Sequence, residues 1–299
     1  MSQFLLLTLL LLGLALAVRR AIPYAAVADG LNWWVINVAL PATVLELVPS
    51  LHFSGDLWFL IATQWLLAAL TMLLVAALGA RWGWTRGRIG AIALLTAFNN
   101  TAFLGYPMIE ALRGRTAPAL AVIADQLGCF IALAVGGAIL IGVYTGDRPN
   151  PRVVALRTLL FPPFLALLAG LLVGAAGGWP AAVPPVLHRL GQTLAPLALF
   201  SVGLRLSVHV RRGQRAATAF ALGWKLVLMP LLAWLMGRVL GVQGLTLTVG
   251  VLETAAAPMF TAVILARQHN LDPDLADTLL SLAMLLSFIT VPAWSLLLP

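Results

Sequence analysis

Apolar runs of the length a helix needs to cross a bilayer recur along the whole chain. Nothing else in the sequence limits its fold so strongly. A spanning helix takes about 20 mostly apolar residues. Runs of this kind give ten candidate spans, at approximately 2–18, 30–49, 56–80, 89–112, 117–144, 153–175, 185–206, 216–239, 243–267 and 274–298. In hydrocarbon every backbone N–H and C=O must be paired within the protein, which favours helices. With 62% hydrophobic and 9% charged residues, the chain has too few polar side chains to clothe a water-soluble surface. The expectation is an all-α membrane protein of ten transmembrane helices. The first run is followed, not preceded, by basic residues (Arg19 and Arg20), so it reads as a retained span and not as a signal peptide.

A net charge of +8 does not point to nucleic acid, because the arginines sit in short clusters between apolar runs. The loops after spans 1, 3, 5, 7 and 9 hold Arg19, Arg20, Arg81, Arg86, Arg88, Arg148, Arg152, Arg157, Arg211, Arg212, Arg215 and Arg267. The opposite side has Arg113, Arg115, Arg189 and Arg238. By the positive-inside bias, the arginine-rich loops face the cytoplasm and both termini lie on the extracytoplasmic side of the cytoplasmic membrane. Cys129 is the single cysteine, so no intramolecular disulfide forms, and His52, His188, His209 and His269 lack ligand spacing. Trp33, Trp58, Trp82 and Trp294, among others, fall near span ends, where indoles anchor at the interface.

Two spans are interrupted. Span 4 contains Asn99, Asn100 and Thr101, followed by Gly105 and Pro107. Proline removes an amide donor and crowds the preceding turn, so a helix break is expected at Gly105 and Pro107. Span 9 contains Glu253, Thr254 and Pro258. Pro41 and Pro196 lie 155 positions apart, as do Pro118 and Pro273, while Pro107 and Pro258 differ by 151. Each pair matches spans five places apart. Five is odd, so the second repeat (150–299) would be inverted relative to the first (1–146), with the broken helices 4 and 9 crossing.

Counting along each span at about 1.5 Å per residue puts one polar layer on the order of 12–16 Å deep. It holds Gln64, Asn99, Asn100, Asp125, Gln126, Lys225 and Glu253. A buried charge near the bilayer middle costs at least about 2.5–3.5 kcal/mol, so such residues face the interior and usually act there. An ion pair between Lys225 and Asp125 or Glu253 is the purely structural alternative. Two acids against one base leave one negative charge, which a cation or proton would neutralise. Glu46 and Glu110 lie near span ends and read as solvated. Asp272, Asp274 and Asp277 open span 10, where negative charge favours a helix start.

These residues resemble the auxin efflux carrier family. The segment Asn99-Asn-Thr-Ala-Phe-Leu-Gly-Tyr-Pro107 is similar to that family's Asn-Thr-Gly-Phe-Leu-Gly-x-Pro crossover, with Ala102 where glycine is common. Leu40-Pro-Ala42, Pro196-Leu-Ala-Leu-Phe-Ser-Val-Gly203 and the closing run from Leu271 to Pro292 also match. Asp125-Gln-Leu-Gly128 and Leu252-Glu-Thr-Ala-Ala-Ala-Pro258 look like a bacterial subset. The resemblance implies a scaffold of helices 1, 2, 6 and 7, through which a homodimer would form. It also implies a moving transport domain of helices 3–5 and 8–10, with an elevator-type motion. Family substrates are organic anions, and the distantly similar bile acid:sodium symporters place Na⁺ behind the crossing.

The function expected is a secondary active transporter of a small organic anion (a carboxylate), not an enzyme. Asn99, Asn100, Thr101 and Lys225 are the expected substrate residues. Glu253, Asp125, Gln126, Gln64 and Thr254 are the expected coupling residues, with Na⁺ at Glu253, Gln64 and Gln126. Neutral oxygens around one or two carboxylates suit Na⁺ better than a proton, which needs one carboxylate alone. The alternatives are a proton-coupled exporter or uniporter of the same fold, and a non-transporting membrane sensor or scaffold. The orientation is directly testable. In a chain whose Cys129 has been replaced, cysteine at position 213 should resist a membrane-impermeant thiol reagent in intact cells and react in opened ones. Labelling from outside would reverse the topology.

Overall fold

The computed structural model describes residues 2–51, 55–147, 149–206 and 210–298. His52, Arg148 and His209 lie outside the described residues. Every helix or strand assigned among the described residues is helical, apart from one isolated β-bridge. In chain order the helices are α1 (Ser2–Val18), α2 (Tyr24–Ser50), α3 (Leu57–Arg81), α4 (Arg86–Ala97), α5 (101–113), α6 (Ala117–Thr145) and α7 (Pro151–Leu159). There follow α8 (Pro162–Ala175), α9 (Val183–Gly191), α10 (Leu194–Arg205), α11 (Arg215–Val239), α12 (Gly244–Ala255), α13 (Phe260–Gln268) and α14 (Pro273–Leu297). Five of them, α2, α3, α6, α11 and α14, are long and apolar enough to cross a membrane, and the bent pair α7 and α8 makes a sixth. The bend follows from sequence: Phe161 before Pro162 is extended, as the proline ring requires of its neighbour.

Several long helices contain a wide, π-helical turn. These turns lie at Val35–Ala39, Thr101–Gly105, Ala124–Cys129 and Trp224–Leu228. In three of them a proline (Pro41, Pro107 or Pro230) follows two residues after the turn ends. A proline inside a helix clashes with the carbonyl four residues earlier and cannot donate to it. Widening the turn relieves the clash, and the helix continues. The freed carbonyl then needs another donor. For Pro230 it is the indole of Trp294, whose Nε1 donates to the Leu226 carbonyl at 3.0 Å. Trp294 therefore pins α14 to α11, where an interfacial anchor was expected.

The helices form two compact units. One comprises 1–54, 102–122 and 157–206. In it α1 lies along α10 so closely that a Cβ on Gly203 would come within 2.7 Å of the Ala15 methyl. The second half of α2 packs against α8 and α9. Ser201 ties α10 to α2 by donating to Asn32 Oδ1 at 2.8 Å.

The other unit comprises 55–101, 123–156 and 207–299. Its core joins Val75, Ile92, Leu94, Phe98, Leu133, Ala262, Leu275 and Leu279. Ion pairs close the arginine-rich end. Asp272 pairs with Arg88 at 3.3 Å, Asp274 with Arg211 at 2.7 Å, and Asp277 with Arg267 at 2.7 Å. The acids at the start of α14 thus bind arginines from three other places in the chain, besides favouring the helix start.

Helix α12 meets α3 at Gly250, where an added Cβ would lie 2.6 Å from the Phe59 ring. Phe59 is fully buried, and protein interiors are packed too densely for a ring to withdraw cheaply. Gly250→Ala should therefore destabilise this unit by about 1–3 kcal/mol. Melting of the purified protein in detergent measures the effect, and an unchanged midpoint would show that Phe59 can yield.

Candidate functional site

The chain crosses itself where α4 and α12 end. Phe98 and Ala256, the residues that close these helices, are both extended, as is Met259 before α13. The two extended pieces pair antiparallel, with Asn99 opposite Pro258. The Asn100 N–H donates to the Ala257 carbonyl at 2.7 Å, and the Met259 N–H donates to the Phe98 carbonyl at 3.0 Å. Pro258, which has no N–H, occupies the position where none is needed. The break in span 4 is therefore at Phe98–Asn100, upstream of the expected Gly105 and Pro107. Gly105 has helical angles (φ −59°, ψ −56°) and Pro107 lies in the first turn of the following α-helical stretch. The wide turn at Thr101–Gly105 makes room for the Pro107 ring, so the helix is not interrupted there. Pro258 does lie in the second break.

Side chains around the crossing form a buried polar cluster within one unit. Asn99 is its hub. Its Nδ2 donates to Gln64 Oε1 on α3, and its Oδ1 accepts from the Lys225 ammonium on α11. Its backbone N–H donates to Cys129 Sγ at 3.1 Å, and its carbonyl accepts from the same thiol at 3.3 Å. On α6, Asp125 accepts from the Thr101 hydroxyl and, at 2.7 Å, from Gln126 Nε2. Glu253 lies on the last turn of α12, fully buried and within electrostatic reach of Asp125.

The helix ends explain part of this placement. Thr101 opens α5, and its partner Asp125 puts negative charge beside the positive end of that helix. Lys225 reaches Asn99, just past the negative end of α4, where a cation is favoured. Glu253 sits at the negative end of α12, and neither of its carboxylate oxygens has a hydrogen-bond partner among the described residues. Gln126 Oε1 and Gln64 Nε2 are likewise without one. Lys225 forms no ion pair among the described residues, so the structural alternative of a lysine–carboxylate pair is not what holds it.

The first unit contains an open cleft of about 540 Å³. Tyr106, Pro107, Pro118, Pro184 and Leu194 form its apolar walls, and Glu46, Glu110, Arg115, His188 and Gln192 its polar ones. His188 Nδ1 lies 2.8 Å from Glu46 and its Nε2 lies 2.9 Å from Gln192. Glu46, expected to be solvated, is thus partly buried and paired, whereas Glu110 is exposed.

A family model described as "membrane transport protein", that of the auxin efflux carriers, matches residues 1–146 and 148–295. The chain belongs to this family. Among its relatives is an uncharacterized transporter of Methanothermobacter thermautotrophicus, 28% identical over 91% of this chain and 89% of the relative. The uncharacterized transporter MJ1031 of Methanocaldococcus jannaschii is 23% identical over 69% of this chain and 68% of its own. The uncharacterized transporter YfdV of Escherichia coli K12 is 26% identical over 70% of this chain and 68% of its own.

Within this membrane transport protein the structure gathers Gln64, Asn99, Thr101, Asp125, Gln126 and Lys225 by direct hydrogen bonds, with Glu253 close by. Asn100 is buried and gives its N–H to the crossing. Thr254 is buried too, but its hydroxyl donates to Val251 O in its own helix at 2.8 Å. Sequence reasoning left out Cys129. Its one signal was its position four residues after Asp125, on the same helix face.

The thiol serves a broken backbone. Cys129→Val keeps the volume but leaves the buried Asn99 N–H without its partner, at a cost of about 1–3 kcal/mol. Cys129→Ser, which can still accept and donate, should lose less. Melting midpoints of the two purified variants make the comparison, and equal values would remove the thiol from the account.

Proposed function

We propose that this chain is a secondary active transporter moving a small organic anion across the cytoplasmic membrane, coupled to Na⁺, by an elevator-type motion. The observation that carries this reading is the buried, partly unpartnered polar cluster at the crossing of two broken helices. Discontinuous helices meeting at depth are a recurrent transporter plan, because their ends offer free dipoles to ions and substrates. Membership of a membrane transport family excludes nothing finer, but it favours a carrier over a sensor or scaffold.

In this reading the chain has ten spans in two inverted repeats, 1–146 and 150–299, with α4–α5 and α12–α13 as the broken pair. The grouping of α1, α2, α8, α9 and α10 in one unit and α3, α4 and α11–α14 in the other supports a scaffold and a transport domain, although residues 102–122, expected in the transport domain, group with the first unit. Asn99, Asn100, Thr101 and Lys225 receive the substrate. Lys225, held by a neutral amide oxygen, is the natural partner for a carboxylate.

Coupling falls to the acids. A bare carboxylate at Glu253 has burial, Asp125 and the negative helix end all against it, and a cation or a proton neutralises it. Both Glu253 oxygens and Gln126 Oε1 are available to a cation. Gln64 Oε1 and the Thr254 hydroxyl oxygen keep a lone pair beyond their present bonds. An oxygen set of this kind suits a hard monovalent ion. A proton on Glu253 is the second reading, favoured by the absence of any hydrogen bond to that carboxylate among the described residues.

Purified protein in liposomes, loaded against labelled carboxylates, tests the reading. Asn99→Ala and Asn100→Ala should each reduce transport by at least about tenfold in a folded, inserted protein, the loss expected where a side chain contributes about 1.4 kcal/mol to holding the substrate. Wild-type rates in both would reduce these residues to structural roles. Na⁺ in place of choline, at fixed pH and ionic strength, should stimulate transport and raise the melting temperature by mass action. Glu253→Gln should abolish both effects. Identical behaviour in the two salts rejects Na⁺ coupling and leaves the proton or an uncoupled carrier.

A further inference from the structure

We infer that the anion taken at Lys225 is a monocarboxylate with a small apolar body, and that dicarboxylates are refused. This rests on the carrier reading above and adds the substrate class.

The argument starts from a count. Lys225 is the chain's one lysine; its other basic residues are arginines and four histidines. Among the described residues three buried side chains carry formal charge: Asp125, Lys225 and Glu253. One cation thus faces two acids. A lysine ammonium has three donors, and Asn99 Oδ1 takes one, which leaves two for an incoming carboxylate. A second carboxylate on the same ligand would find no further buried cation among the described residues. Lysine is also a compact point charge, whereas arginine presents the fork that suits several anionic oxygens at once.

The surroundings of Lys225 define the rest of the ligand. Together with Thr96 and Pro258 it lines a narrow gap otherwise walled by Leu95, Ala221, Leu222, Leu279 and Ala283. The gap is too tight for a water molecule in this conformation, and its walls offer a ligand carbon surface. A body that spreads these walls gains by burying apolar area, whereas a second polar group would be desolvated there without a partner. An acid such as butyrate, valerate or benzoate meets both conditions, and succinate or malonate fails both.

The test uses the full-length protein in detergent and in liposomes, at neutral pH with matched sodium and ionic strength. Butyrate and benzoate should raise the melting temperature saturably, and succinate and malonate should need at least about tenfold higher concentration for an equal shift. The single lysine gives an independent readout without any variant. Acylation of Lys225 by a permeant amine reagent, followed by peptide mass spectrometry, should be slowed by the monocarboxylates and not by the dicarboxylates. Lys225→Met should abolish the stabilisation by butyrate, while Lys225→Arg keeps part of it and shows that the fold tolerates a change there.

Dicarboxylates that stabilise the protein, protect Lys225 and exchange across liposomes would overturn this inference and leave the organic-anion carrier intact. Butyrate stabilising wild type and Lys225→Met alike would also overturn it. If neither class alters melting, labelling or exchange, the carrier reading falls as well.

Discussion

A backbone that stops being helical inside apolar surroundings must find partners for its N–H and C=O groups, and this requirement organises the rest of the molecule. Two helices stop at once, at Phe98–Asn100 and at Ala256–Met259, and each supplies what the other lacks. Two backbone hydrogen bonds across the crossing, plus the Cys129 thiol on the Asn99 peptide, meet the need. Either break alone would leave groups costing several kcal/mol in a medium without water. The pair is therefore a single structural decision, and the polar side chains around it are tolerated because the local surroundings are already polar.

The crossing brings four helix ends together, two with free carbonyls and two with free amides. Asp125 and Lys225 lie on the ends that suit their charges, and Glu253 on one that does not. The Thr101 hydroxyl and the Gln126 amide donate to Asp125, and the Asn99 amide oxygen accepts from Lys225, all of them neutral groups. A neutral partner holds the Lys225 ammonium in position without cancelling its charge. An ion pair between Lys225 and either acid would have been a more self-contained arrangement and a poorer site.

Much of this was legible in the sequence, for reasons that also mark the limits. Counting at a fixed rise per residue gives height, so Gln64, Asn99, Asp125, Lys225 and Glu253 could be placed in one layer before any fold was known. It does not give direction about the helix axis, so the pairing of Lys225 with Asn99 was not foreseen. Prolines were read as breaks; Pro258 lies within the second break, whereas Pro107 follows a wide turn that makes room for its ring. Thr254 was expected at the same height, but its hydroxyl turns back on its own helix, as threonine can. The cleft around Glu46 and His188 was missed because its polar residues come from segments distant in the chain and stand near span ends, where solvated side chains are the common case.

The wide turns have a consequence for how the sequence tolerates insertion and loss. Each carries one residue more than an α-helical turn would, so everything beyond it is rotated by about 100° relative to an unbroken helix. Lys225 lies inside such a turn, at Trp224–Leu228, and Asp125, Gln126 and Cys129 lie inside another, at Ala124–Cys129. Deleting one residue from the turn at Ala124–Cys129 would restore ordinary helical winding, and deleting one at Trp224–Leu228 would bring back the Pro230 clash, while both spans stay hydrophobic. Either deletion would also swing the far half of the helix off its partners, carrying away the thiol that supports Asn99 in the first case and Trp294's carbonyl acceptor in the second. The reading frame of the helix, and not its composition, is what these two segments have to preserve.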